Sequence, residues 1–194
     1  MADQKISAMP NALTLTGAEL VPLVQSGANV KSTLANLAAY DRAYGAWSDT
    51  NDQTGSISAG TVVTFNTQDV SDSITLVDSS KITVPETGIY NLQFSLQLKN
   101  TDNAQQDATV WLRVNGTDLG NSATQYTVPA RKSAGIFGYN VAALTFLLDL
   151  TANDYVQLVW LPASTTVTID ANPSSLSPAY PAIPSAIAIM VRVA

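Results

Sequence analysis

The residues able to do chemistry in this chain are its carboxylates. There are 13 Asp and 2 Glu against 9 Lys and Arg, no Cys and no His, for a net charge of −6. Carboxylates without those partners support two kinds of chemistry. A pair about 5–9.5 Å apart can cleave a glycosidic bond, and several together with backbone carbonyls can hold Ca²⁺. Asp49 with Asp52, and Asp69 with Asp72, are the spacings that could contribute to a calcium site. Most Asp, however, sit beside turn formers, as in Asp52-Gln53-Thr54-Gly55 and Thr117-Asp118-Leu119-Gly120, where capping and solvation account for them. No calcium loop of the EF-hand type occurs. The sequence therefore assigns no catalytic, cofactor-binding or metal-ligating residue.

Other mechanisms fall to missing residue types. Without Cys or His there is no disulfide, no thiolate or imidazole metal site, and no Ser-His-Asp or Cys-His machinery. Gly-x-x-x-x-Gly-Lys-Ser/Thr, Gly-x-Gly-x-x-Gly, Gly-x-Ser-x-Gly and Ser-x-x-Lys are absent as well. The expectation is a protein that is not an enzyme. Its acidic balance argues against a nucleic-acid partner, where cationic side chains supply most of the affinity. The longest apolar stretch, Val141 to Leu148, is interrupted by Thr145, so no membrane insertion is expected. The start, Met1-Ala2-Asp3-Gln4-Lys5, lacks the pattern of a signal peptide. Asn115-Gly116-Thr117 fits the glycosylation sequon, but without that signal it reads as a hairpin turn.

The elements that would position these groups are strands. Only 12% of the 194 residues are charged, 46% are hydrophobic, and 39 are Ser or Thr. The preference for Asp over Glu suits turns better than helices. From Tyr44 onward the period is two. Tyr90, Leu92, Phe94, Leu96 and Leu98 share one face and Asn91, Gln93, Ser95 and Gln97 the other, so one side meets a core and the other water. Val110, Leu112 and Val114 repeat the pattern before Asn115-Gly116 turns the chain. Further strands are expected near residues 61–65, 73–77, 81–84, 140–150, 155–160, 165–170 and 185–193. About eight to ten short strands make an all-β sandwich or barrel. In the last strand Ile187, Ile189 and Val191 face one way and Ala186, Ala188 and Met190 the other. Burial on two sides would follow from a subunit interface or from covering loops.

Residues 1–43 read differently. The first forty carry two positive and two negative charges, leaving the whole net charge to the rest of the chain. An extended arm is expected, with a short helix after Ser32 that puts Leu34, Leu37 and Ala38 on one face. With so few apolar side chains, such a segment cannot offset its own ordering entropy and must pack against something else.

Two resemblances follow from particular residues. Gly88-Ile89-Tyr90-Asn91-Leu92-Gln93-Phe94 resembles the Gly-x-Tyr-x-x-x-Phe strand of C1q/TNF-like jelly-roll domains. Leu148-Asp149-Leu150-Thr151-Ala152-Asn153-Asp154-Tyr155-Val156-Gln157-Leu158 resembles their late hairpin, with Asn153 in place of Gly. Separately, Lys5-Ile6-Ser7-Ala8-Met9-Pro10 and Leu15-Thr16-Gly17-Ala18-Glu19-Leu20-Val21-Pro22-Leu23-Val24-Gln25 resemble a segment common at the start of phage tail-fibre and other virion proteins. The stretch from Ala108 to Thr117, with the Pro-rich 174–184 segment, is similar to C-terminal modules of phage virion proteins. These resemblances imply a virion-anchoring region over 1–43, a jelly roll over 44–194, and a homotrimer packed around a threefold axis.

Candidate residues follow. Leu20, Val21, Leu23 and Val24 would dock on another virion protein, such as a tail adaptor or the major capsid protein, or else wrap their own jelly roll. Trp111 and Arg113 lie on the face opposite Val110 and Leu112, where they would pack on a neighbouring subunit or stack on a sugar. With Ile187, Ile189 and Val191 they form the expected trimer interface. The expected function is a non-enzymatic phage structural protein, a fibre or tail appendage contacting a host-surface glycan or receptor. A capsid decoration protein and a free carbohydrate-binding module are the alternatives.

Overall fold

The computed structural model describes residues 14–39 and 43–194, which fall into two compact units divided between Arg42 and Ala43. Residues 1–13, including the Lys5–Pro10 part of the expected anchoring segment, lie outside the described residues.

The first unit is a hairpin and a helix. Strands β1 (Leu20–Gln25) and β2 (Ala28–Thr33) pair antiparallel, with Gln25 opposite Ala28. Ser26 and Gly27 both take positive φ, the requirement of a tight two-residue turn of the primed type. Helix α1 (Leu34–Ala39) follows at once. Its cap is Thr33, one residue beyond the expected Ser32, because the Thr33 hydroxyl accepts the Asn36 N–H at 3.1 Å. The stretch expected to be extended is thus folded back on itself. Leu37, placed on the packing face by its spacing, is exposed.

The second unit opens with β3 (Tyr44–Asp49), β4 (Gln53–Thr54), β5 (Thr61–Val62), β6 (Thr67–Asp72), β7 (Thr75–Val77) and β8 (Lys81–Thr83). Next come β9 (Gly88–Asn100), β10 (Gln106–Val114), β11 (Thr117–Asp118), β12 (Thr124–Val128) and β13 (Gly138–Leu150). The chain ends through β14 (Tyr155–Pro162), β15 (Val167–Ile169), β16 (Ser175–Leu176), β17 (Ala179–Tyr180) and β18 (Ala186–Arg192). Two antiparallel sheets result. One runs β13-β9-β18-β3-β6, with β15 and β4 continuing beside β9 beyond the end of β18. The other runs β12-β10-β14-β8-β7, with β5 and β11 at its margins. The protein is an all-β sandwich. Among the described residues no helix is long and apolar enough to cross a membrane.

Alternation builds the core. Tyr90, Leu92, Phe94, Leu96 and Leu98 of β9 are all buried, as their spacing requires, and they meet Val110 and Leu112 of β10 and Val156, Leu158 and Trp160 of β14. Trp47 is fully buried as well, and Gly45, two residues earlier on the same face, is the only type that fits beneath its indole. The turns behave as their residues dictate: Asn115, Gly116 and Asn153 all have positive φ. Asn115 also ties two turns together, donating to Asp154 Oδ1 at 2.7 Å and accepting the Tyr155 N–H at 3.0 Å.

Candidate functional site: the outer sheet face and the N-terminal hairpin

The inward residues of β18, Ala186, Ala188 and Met190, are fully buried. Its outward residues are not: Ile189 is 38% exposed, Val191 is similar and Ile187 is half-buried. Within this second unit no other element supplies the second covering that the sequence led us to expect. The registers show what surrounds these side chains. Ile189 lies opposite Gln93 on one side and Ala46 on the other; Gln93 in turn faces Thr145, and Ala46 faces Val70. Ile187 lies between Ser95 and Ser48, with Ala143 beyond Ser95. Val191 lies between Asn91 and Tyr44, with Leu147 beyond Asn91. From β13 to β3 the middle of this face carries no charge, Asp72 opposite Tyr44 and Asp69 on the Ser48 hydroxyl bounding it at β6, and Leu147, Val141 and Val70 add to its exposed apolar surface. On a chain of net charge −6, an uncharged stripe across four strands, edged by carboxylates on the fifth, is a surface suited to burial.

Trp111 and Arg113 occupy the outside of the opposite sheet, so the five expected interface residues divide between two faces. Both are engaged within the chain. The Trp111 ring packs over Gly60 beside Val159, and a Cβ on Gly60 would stand 2.5 Å from the indole. Arg113 Nε donates to Asp118 Oδ1 at 2.7 Å. That bond, with the Trp111 indole second, holds the Asp118 carboxyl below its ordinary value.

In the first unit the four anchoring candidates alternate. Leu20 and Val24 are exposed on one face of β1, and Val21 and Leu23 are half-buried on the other. None of residues 14–37 is buried. The unit is held by polar ties instead. The Glu19 carboxylate accepts the Thr16 N–H, the Thr16 hydroxyl and the Gly17 N–H, each at 2.8 Å. This donation, from the Thr16 amide first, pulls its pKa down to about 2. The Leu34 and Ala35 N–H groups donate to the Glu19 and Gly17 carbonyls at 2.8 Å, satisfying the start of α1.

The carboxylates considered for calcium are separate hydrogen-bond acceptors. Asp49 receives Asn51 N–H, Gln53 Nε2 and Thr64 Oγ1; Asp52 receives Ala171 N–H; Asp69 receives Ser48 Oγ; Asp72 receives Ser73 Oγ. Among the described residues no three acidic side chains converge on a point. Comparison with protein-family models and with curated proteins finds no match to this chain.

Proposed function

We propose that this chain is a non-enzymatic phage virion protein. A C1q/TNF-like jelly-roll body self-associates as a homotrimer, and the N-terminal unit attaches it to another virion protein. The observation that carries this reading is the apolar face centred on Ile187, Ile189 and Val191, which the described residues of the body leave uncovered. Three further features support it. The strand orders β3-β18-β9-β13 and β8-β14-β10-β12, with the chain passing repeatedly between sheets, support a jelly-roll reading. A two-stranded hairpin with a six-residue helix and no buried side chain among residues 14–37 is marginal in isolation and gains its stability from a partner. Leu20 and Val24 then supply the apolar contact.

Projecting the body outward from such an attachment makes it a fibre or tail appendage that can touch the host surface. Electron cryo-microscopy of particles carrying the chain tests this directly. The expected map has threefold density for the body, with residues 14–39 packed against a different protein. Density over capsid subunits would select the decoration alternative, and particles lacking the chain would refute both.

A further inference from the structure

Two loops meet at one end of the sandwich: residues 50–52, after β3, and the connection from β15 to β18. Hydrogen bonds from backbone N–H groups lock them. Ser185 N–H donates to the Asp49 carbonyl at 2.8 Å, Ala171 N–H to Asp52 Oδ1 at 2.8 Å, and Asn172 and Ile183 exchange bonds of 2.9 and 2.8 Å. The last exchange closes the neck of a small projecting hairpin, β16–β17, in which Leu176, beside the Ser177–Pro178 turn, is 95% exposed. Between the two loops lies an open cleft of about 530 Å³, the size of a small-molecule site.

The groups lining the cleft define what fits it. The Asn51 and Asn172 carboxamides have no hydrogen-bond partner among the described residues, and Asp52 keeps its second carboxylate oxygen free. Each carboxamide offers two donors and one acceptor, and the free oxygen is an acceptor only. Pro173, Ile183 and Pro184 supply short aliphatic surfaces beside them. No Lys or Arg lines the cleft, and Lys99, whose charge reaches Asp52, is tied to Asp170 at 2.8 Å, so a phosphate, sulfate or carboxylate ligand would find no free countercharge and would meet Asp52. A lipid chain would leave the amides unpaired, at a desolvation penalty. A ring that carries several hydroxyls on an aliphatic frame satisfies both kinds of surface.

We propose that this cleft binds an uncharged saccharide, with Asn51, Asp52 and Asn172 hydrogen-bonding vicinal hydroxyls and Pro173 and Ile183 packing on the C–H face of the ring. The inference rests on the host-contacting reading above and assigns that contact to a place. The walls are fixed by backbone bonds and by the Asp52 carboxylate, so little ordering cost opposes binding.

The test exposes the full-length chain to an array of neutral, amino and acidic oligosaccharides, then titrates the neutral oligosaccharide bound best, following amide shifts by NMR. We expect a neutral saccharide to bind and to move the signals of residues 50–52 and 171–173. Asn51→Ala with Asn172→Ala removes side chains that hold nothing else in place. It should weaken binding at least about tenfold while the melting temperature is unchanged. Binding only to acidic glycans, no binding of any neutral glycan at millimolar concentration, or binding that survives the double substitution would overturn the proposal. A chain that trimerises and joins its particle while the array stays blank would overturn the cleft alone and leave the proposed function standing.

Discussion

Replacing Ile189 by aspartate separates assembly from folding, because the side chain points away from the core while its neighbour Ala188 points in. With 38% of Ile189 still exposed, the apolar burial left for an interface is about 0.6–1 kcal/mol per copy, taking roughly 1.5–3 kcal/mol for full burial of such a side chain. An Asp carboxylate placed in that contact loses this and adds a desolvation cost of about 2–3 kcal/mol. Summed over three copies, the proposed trimer would lose about 9 kcal/mol, roughly six decades in its association constant. Within the monomer the change costs no more than about 1 kcal/mol, the span of strand propensity at an exposed position. Sedimentation should therefore find Ile189→Asp as a folded monomer, with the circular dichroism of a β protein and cooperative unfolding. Ala188→Asp, buried at 0% exposure, should give little soluble protein. An Ile189→Asp chain that stays trimeric would refute the interface. One that fails to fold as Ala188→Asp does would show that its side chain is part of the core.

Three other outcomes follow from local geometry. Gly60→Ala forces the Trp111 indole aside, since its Cβ would stand 2.5 Å from the ring; the expected destabilisation is about 1–3 kcal/mol, read by denaturant unfolding. Glu19 has a folded pKa of about 2, below its ordinary 4.5, so its support is present above that ordinary value and fades as pH falls toward 2. The Thr16 and Gly17 amide shifts should titrate with a midpoint near 2, and a midpoint near 4.5 would deny the carboxylate cap. At Lys99, burial works to lower the pKa, but the hydrogen bond and charge of Asp170, 2.8 Å away, outweigh it and raise the value above 10.5. Stability from this pair is complete below that pH and is lost as pH rises through the higher folded value. Lys99→Met should flatten that alkaline loss in a series of melting curves.

Much of the sandwich is legible in the sequence because its strands carry alternating side chains. Tyr90 to Leu98 and Val110 to Val114 signal their buried faces by spacing alone, and Asn115-Gly116 marks the turn between β10 and β11. The strands that escape are those whose partners, rather than composition, make them strands. β6 is Thr-Gln-Asp-Val-Ser-Asp on the sheet edge, and β1 with β2 hides Pro22 and Lys31 in one register pair. The outward apolar side of β18 is likewise legible, since Ile187, Ile189 and Val191 alternate with small core residues. That Trp111 is occupied by Gly60 is not, because the two lie fifty residues apart and Gly60 contributes only the absence of a side chain. The saccharide cleft is invisible for the same reason. Asp52 and Ala171 meet across more than a hundred residues, and nothing near either one in the sequence announces the other.

The most direct test of the account is the mass of the full-length chain in solution at micromolar concentration, measured by sedimentation equilibrium. The proposed homotrimer, with the Ile187–Ile189–Val191 face buried between copies, predicts three times the 20.4 kDa of one chain. A single species at one chain mass would contradict it.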